Sequence, residues 1–114
     1  MESNPMKLLI AGSRSIKEFD LSPYISDEVD TIISGGAAGI DALAEQYADK
    51  NKLSKYILCP HYGRFGRSAP LRRNKEMVDM ADAVLIVWDG KSKGTKYTIS
   101  YAEKTQKPIT LITV

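Results

Sequence analysis

Three observations predict an α/β fold with a parallel sheet. Short apolar runs recur along the chain, most of them too continuous for a strand with one face in water. Stretches with helical periodicity separate them, and strands alternating with helices imply parallel strands with helices on both faces. Three of the apolar runs also end in small polar loops that contain glycine, as strands do when they deliver a chain to a ligand-binding edge. The expectation is one domain over residues 1–114. It is a three-layer, doubly wound parallel sheet of about five strands, in the order 3-2-1-4-5.

The elements follow in turn. Met6-Lys7-Leu8-Leu9-Ile10-Ala11 is the first strand, and it ends in Gly12-Ser13-Arg14-Ser15. Ser22-Pro23 reads as an N-cap with proline at the first helical position, opening a short helix to about Glu28. Thr31-Ile32-Ile33 is the second strand, stopped by Ser34-Gly35-Gly36. A helix is expected from Ala37 to about Asn51, because Ile40, Leu43, Ala44, Tyr47 and Ala48 share one face. Tyr56-Ile57-Leu58-Cys59 is the third strand, closed by Pro60. Residues 61–70 lack periodicity and read as a loop. Ser68 to Pro70 opens the next helix, with Leu71, Asn74, Met77, Val78 and Ala81 on its inward stripe. Ala83-Val84-Leu85-Ile86-Val87-Trp88 is the fourth strand. Asp89 to Thr95 is the third polar loop, and the helix after it turns Thr95, Ile99 and Ala102 inward to about Thr105. Pro108 ends it before the last strand, Ile109 to Val114.

Composition narrows the classes of function. Of 114 residues, 43% are hydrophobic and 26% charged, as in an ordinary globular domain. A net charge of +2 does not demand a nucleic-acid partner. The single cysteine, Cys59, excludes an intrachain disulfide framework and fits a reducing cytoplasm. The first residues lack the layout of a signal peptide, and no apolar run approaches the ~20 residues that span a bilayer. A cytoplasmic protein without a membrane partner is therefore expected. No His, Cys and Asp cluster has metal-ligand spacing, so neither a metal nor a resident cofactor is expected.

With strand order 3-2-1-4-5 the first, second and fourth strands are neighbours, and their loops rim one crevice. Gly35, Gly36 and Ala37 would offer N–H groups at a helix N-terminus, where the dipole favours an anion. Ser34 either caps that helix or donates to a phosphate. Gly12, Ser13 and Arg14 contribute a second loop with hydroxyl and guanidinium groups. Ser92, Gly94 and Thr95 repeat the theme at the last helix. Asp41 has two readings: a first-turn acid that the dipole favours, or an acceptor for ribose hydroxyls. Arg64, Arg67, Arg72, Arg73 and Lys75 place five cations in twelve residues without an acid. They form either a solvated face or a phosphate-binding one, with Arg72 and Asn74 closing the crevice. Trp88 packs in the core or stacks on a base. Tyr97 and Tyr101 lie opposite the inward face of the last helix, which suggests a contact between subunits. A nucleophile–base pair of Cys59 and His61 is disfavoured, because Cys59 reads as buried in a strand.

Taken together, Gly12-Ser13-Arg14, then Ile33-Ser34-Gly35-Gly36-Ala37-Ala38-Gly39-Ile40-Asp41-Ala42-Leu43-Ala44, then Pro70-Leu71-Arg72-Arg73-Asn74, then Trp88 to Thr95 with Ala102 following, resemble the SLOG superfamily. That group includes the DprA/Smf DNA-processing proteins and the LOG phosphoribohydrolases. The resemblance covers nearly the whole chain and is strongest to small stand-alone YspA-like SLOG proteins. It implies a Rossmann-like sheet, a nucleotide-type site at the loops named above, and dimers or higher homo-oligomers. LOG enzymes carry a glutamate three residues after the Gly-Thr of their glycine-rich motif. Here Thr98 stands in that place.

Three functions compete on these grounds. The first is binding or sensing of a nucleotide or nucleotide derivative. The second is a phosphoribohydrolase-like N-glycosidase with Asp41, Asp89 or Glu103 as acid or base. The third is DprA-like binding of single-stranded nucleic acid through Arg64 to Lys75.

Overall fold

The computed structural model describes residues 6–114. A five-stranded parallel sheet has the order β3-β2-β1-β4-β5, as expected from the sequence. Its strands are β1 (Met6–Gly12), β2 (Val29–Ser34), β3 (Ser54–Ile57), β4 (Ala83–Trp88) and β5 (Ile109–Thr113). The helices are α1 (Ile40–Lys50), a single turn α2 (Tyr62–Phe65), α3 (Ala69–Met80) and α4 (Lys93–Lys104). No helix among the described residues is long and apolar enough to cross a membrane.

Alternate residues of the central strands feed two cores. Leu8, Ile10, Ile32, Leu85 and Val87 meet Ile40, Ala44 and Ala48 of α1 on one face. Leu9, Ala11, Ile33, Val84 and Ile86 meet Met77, Val78 and Ala81 from the end of α3, and Ile99 and Ala102 of α4, on the other. Burial on both faces is why β1 and β4 carry almost no polar residue.

Several local expectations are corrected. The helix expected over residues 22–28 is one 3-10 turn, Ser22–Tyr24. Ile25 is extended there and, with Leu21, plugs the core under α1, so the chain leaves the turn for β2. Helix α1 begins at Ile40 rather than Ala37, because Gly36 and Gly39 both have positive φ. Strand β3 lies two residues earlier than its apolar run, since its register is set by pairing with Thr31 to Ser34 on β2. All four of its residues are exposed at the sheet edge, and Cys59, just beyond it, is exposed as well. Residues 61–70 contain α2 and a 3-10 turn, and Leu71 is 38% exposed rather than packed in the core.

Candidate functional site

The register between β1 and β4 sets Gly12 beside Val87, so the two strands end together. Their following chains lead to opposite faces of the sheet, which makes this edge the topological switch point. Close packing holds the junction. The Ser13 N–H donates to the Val87 carbonyl at 3.1 Å, and the Asp89 N–H donates to Ser13 Oγ at 2.9 Å. A Cβ on Gly12 would lie 2.2 Å from the Val87 carbonyl oxygen, and one on Gly39 2.5 Å from that of Ser13. These glycines let three loops touch backbone to backbone.

Above the junction lies an open cleft of about 280 Å³, near the lower end for small-molecule sites. Arg14 and Ser15 from the β1 loop, Asp41 of α1, Arg73 and Asn74 of α3, Ser92 just before α4, and Gly94 and Thr95 of α4 line it. Gly12, Ala37, Met77, Asp89 and Thr98 complete much of the wall.

The loop after β2 does not present its turn as an open anion cradle. The Gly36 N–H donates to Ser34 Oγ at 3.4 Å, and the Ala37 N–H donates to Asp41 Oδ2 at 3.1 Å. The Ile40 N–H donates to the Ser13 carbonyl at 3.4 Å. Ser34 is fully buried and its hydroxyl faces α1, near the Asp41 carbonyl and Glu45. Gly36 faces Ile57 and Cys59 instead of the cleft. Ser34, Gly35 and Gly36 are therefore absent from the cleft wall, whereas Ala37 and Asp41 belong to it. Ser13 too is buried and joins the β1 and β4 loops.

Arg73, not Arg72, closes the site. Its Nη1 donates to the Gly35 carbonyl at 2.6 Å and to the Leu58 carbonyl at 3.2 Å, and its Nε donates to Asn74 Oδ1 at 2.8 Å. Arg72 points outward, with its guanidinium over the Phe65 ring at 4.5 Å and its Nε on Ser68 Oγ. The inward stripe that singled out Asn74 was a usable signal. Which of two adjacent arginines turns inward depends on the carbonyls just past β2 and β3, 38 and 15 residues away.

The loop before α4 has a different economy. Asp89 Oδ1 accepts the Lys91 and Ser92 N–H groups at 2.8 and 2.9 Å, and its Oδ2 accepts the Ser15 hydroxyl at 2.9 Å. The Trp88 indole N–H donates to the Ser92 carbonyl at 3.0 Å, so the ring braces this loop and packs on the core. Ser92 caps α4 by accepting from the Thr95 N–H at 3.4 Å. The N–H groups of Lys93 and Gly94 have no intrahelical partner, by helix geometry. A Cβ on Gly94 would meet nothing within 4 Å.

Two carboxylates on the cleft wall are tuned in opposite directions. Burial pushes the Asp41 carboxyl above its ordinary range, while the Ala37 N–H and the Arg73 charge pull against that. The N–H groups of Lys91 and Ser92, then the Ser15 hydroxyl, hold the Asp89 carboxyl well below the usual range. Burial also lowers the Arg73 guanidinium, opposed mainly by Asp41.

The remaining candidates lie elsewhere. Glu103 is exposed on α4, outside the cleft wall. Tyr101 is half-buried, donates to Asp79 Oδ1 at 2.8 Å and carries Lys75 over its ring, so it ties α4 to α3. Arg64 and Arg72 both pack on Phe65, while Arg67 and Lys75 are exposed. Among the described residues, no group of three or more His, Cys, Asp or Glu side chains could hold a metal ion.

Over 64 residues the chain is 31% identical to the "Uncharacterized SPbeta prophage-derived protein YoqJ" of Bacillus subtilis strain 168. That stretch is 55% of this chain and 37% of the relative, so the match spans little more than a third of the relative's length. No family model and no solved structure matches the chain.

Proposed function

We propose that the cleft binds a small phosphorylated ligand of the nucleotide type. The phosphate would sit at the start of α4, against Ser92, Gly94 and Thr95, with Arg14 beside it. A helix of twelve residues brings the positive end of its dipole to this point. The observation that carries the reading is the convergence of that open helix start with Arg14, Arg73 and Asn74 in one cleft at the switch point. The SLOG resemblance supports the same reading, because Ser92 to Thr95 falls in its glycine-rich stretch.

The test is calorimetry and thermal shift against nucleoside mono-, di- and triphosphates, on the wild-type chain and Gly94→Asp. At a hundredfold excess over Kd a bound ligand stabilises by about 2.7 kcal/mol, which moves Tm by roughly 10 °C. Gly94→Asp puts a negative charge where the phosphate would sit, in open space. It should lose the shift and keep the fold. A nucleotide panel without any shift in the wild type would reject the reading.

A second reading, hydrolysis of an N-glycosidic bond, is supported by the cleft-facing Asp41 with its raised carboxyl. Asp89 spends its oxygens on Lys91, Ser92 and Ser15, and Glu103 lies outside the cleft, so Asp41 alone of the three suits an acid–base role. Thr98 lines the cleft where LOG enzymes carry glutamate, and its hydroxyl is spent on the Gly94 carbonyl at 3.1 Å. Release of free base from a nucleoside monophosphate, abolished in Asp41→Asn, would establish this reading.

A further inference from the structure

We propose that Asp41, together with Asn74, selects a phosphorylated ligand bearing a vicinal pair of hydroxyls, as a ribose does, and disfavours the 2′-deoxy form. This rests on the reading that the cleft holds a phosphorylated ligand.

Asp41 is only 8% exposed, yet its side chain forms part of the cleft wall. Its Oδ2 is held by the Ala37 N–H, and Oδ1 accepts no hydrogen bond from any described residue. No deeply buried side-chain oxygen or nitrogen lacks a partner among the described residues, so Oδ1, which has none, keeps access to solvent, and Asp41 is a residue of the cleft wall. An ionised carboxylate only accepts hydrogen bonds. It repels a phosphate oxygen and favours a donor. The anion therefore belongs at the α4 end, and the group facing Asp41 must carry a proton to donate.

Asn74 narrows the donor to a hydroxyl. Arg73 Nε occupies Asn74 Oδ1, which orients the amide and leaves its Nδ2 donors for other partners. Asn74 and Asp41 share the cleft wall, one offering a donor and the other an acceptor. An ammonium group satisfies only the acceptor. A hydroxyl both gives and accepts, and a vicinal pair of hydroxyls serves both residues at once. Arg73 acts as a positioning residue, since it also fixes the Gly35 carbonyl at 2.6 Å next to Asp41. A polar site built for two hydroxyls disfavours the ligand with one, because either Asp41 or Asn74 is then left without a partner.

The test is calorimetric titration of the whole chain with the four ribonucleoside 5′-monophosphates, their 2′-deoxy forms and inorganic phosphate. The wild type should bind at least one ribonucleotide tenfold or more tighter than its deoxy form. In Asp41→Asn that ratio should fall below about threefold, with inorganic phosphate bound no more weakly than before. Equal binding of ribo and deoxy forms by the wild type would overturn the role of Asp41 and leave the phosphate site standing. Absence of binding by all of these, inorganic phosphate included, would overturn both. The wild-type comparison decides even where the variant fails to fold.

Discussion

After β2 the chain spends its turn donors on its own side chains: Ser34 takes the Gly36 N–H and Asp41 takes the Ala37 N–H. After β4 an acid also folds the loop, Asp89 on Lys91 and Ser92, but it does so before the helix begins. The start of α4 is left open to the cleft, and the start of α1 is closed by an acid and by the β1 loop. Both segments read in sequence as glycine, hydroxyl, helix. The difference is where the carboxylate falls. Asp41 is inside its helix and folds back over the turn. Asp89 precedes its helix and folds the loop beneath it. Two glycine turns of like composition thus differ in whether an anion can approach.

The glycines test the packing side of that comparison, with the largest effect. Gly12→Ala and Gly39→Ala each force a Cβ within 2.5 Å of a carbonyl oxygen, and Gly39 adds a φ of +73°. Each should cost about 3 kcal/mol and lower Tm by roughly 10 °C or more in thermal melts. Gly94→Ala, in open space on a helix, should instead gain about 0.5 kcal/mol.

The phosphate side comes next. Gly94→Asp should weaken nucleotide binding more than tenfold by calorimetry. Any effect of Gly36→Asp should arise from strain at its positive φ, and a fully folded Gly36→Asp should still bind. Equal loss of binding in both variants would erase the distinction between the loops.

The two acids should respond to pH with opposite signs. Burial raises Asp41, so the native state binds its proton more tightly than the unfolded chain, and stability falls as pH rises past the ordinary carboxylate value. Asp41→Asn should therefore stabilise at neutral pH, with the gain disappearing in acid. Asp89 is lowered, so its contribution is present above the ordinary carboxylate value and lost as pH falls. Asp89→Asn should lower Tm at neutral pH and converge with the wild type in acid. Melts of the three proteins from acid to neutral pH read both signs.

The smallest expected effect is at the outward arginines. Arg64→Ala and Arg72→Ala should leave cleft binding within about twofold, since both side chains pack on Phe65. Binding of a single-stranded oligonucleotide with a steep salt dependence, weakened by these two changes, would favour the nucleic-acid reading.

Much of this fold was legible in the sequence because periodicity and burial are local properties. The continuous apolar runs at Leu8 to Ala11 and Ala83 to Trp88 read as strands covered on both faces. The polar, glycine-bearing stretch before the last helix was legible too, since such a loop depends on adjacent residues. Strand β3 was misplaced because an edge strand takes its register from its neighbour. The start of α1 was misplaced because Gly39 serves the β1 loop, 26 residues earlier, rather than its own helix.

The sequence by itself determined the alternation of strands and helices, the two-sided core and the polar loops that follow three of the strands. Strand burial and glycine turns follow from short-range chemistry. Only the tertiary structure decided which loop remains open, that Arg73 rather than Arg72 turns inward, and that Asp41 and Asp89 are tuned apart. Each depends on a hydrogen bond or a desolvated surface supplied by another part of the chain. Periodicity shows which face of a helix is buried, and only the assembled loops show which polar atoms on that face are already paired.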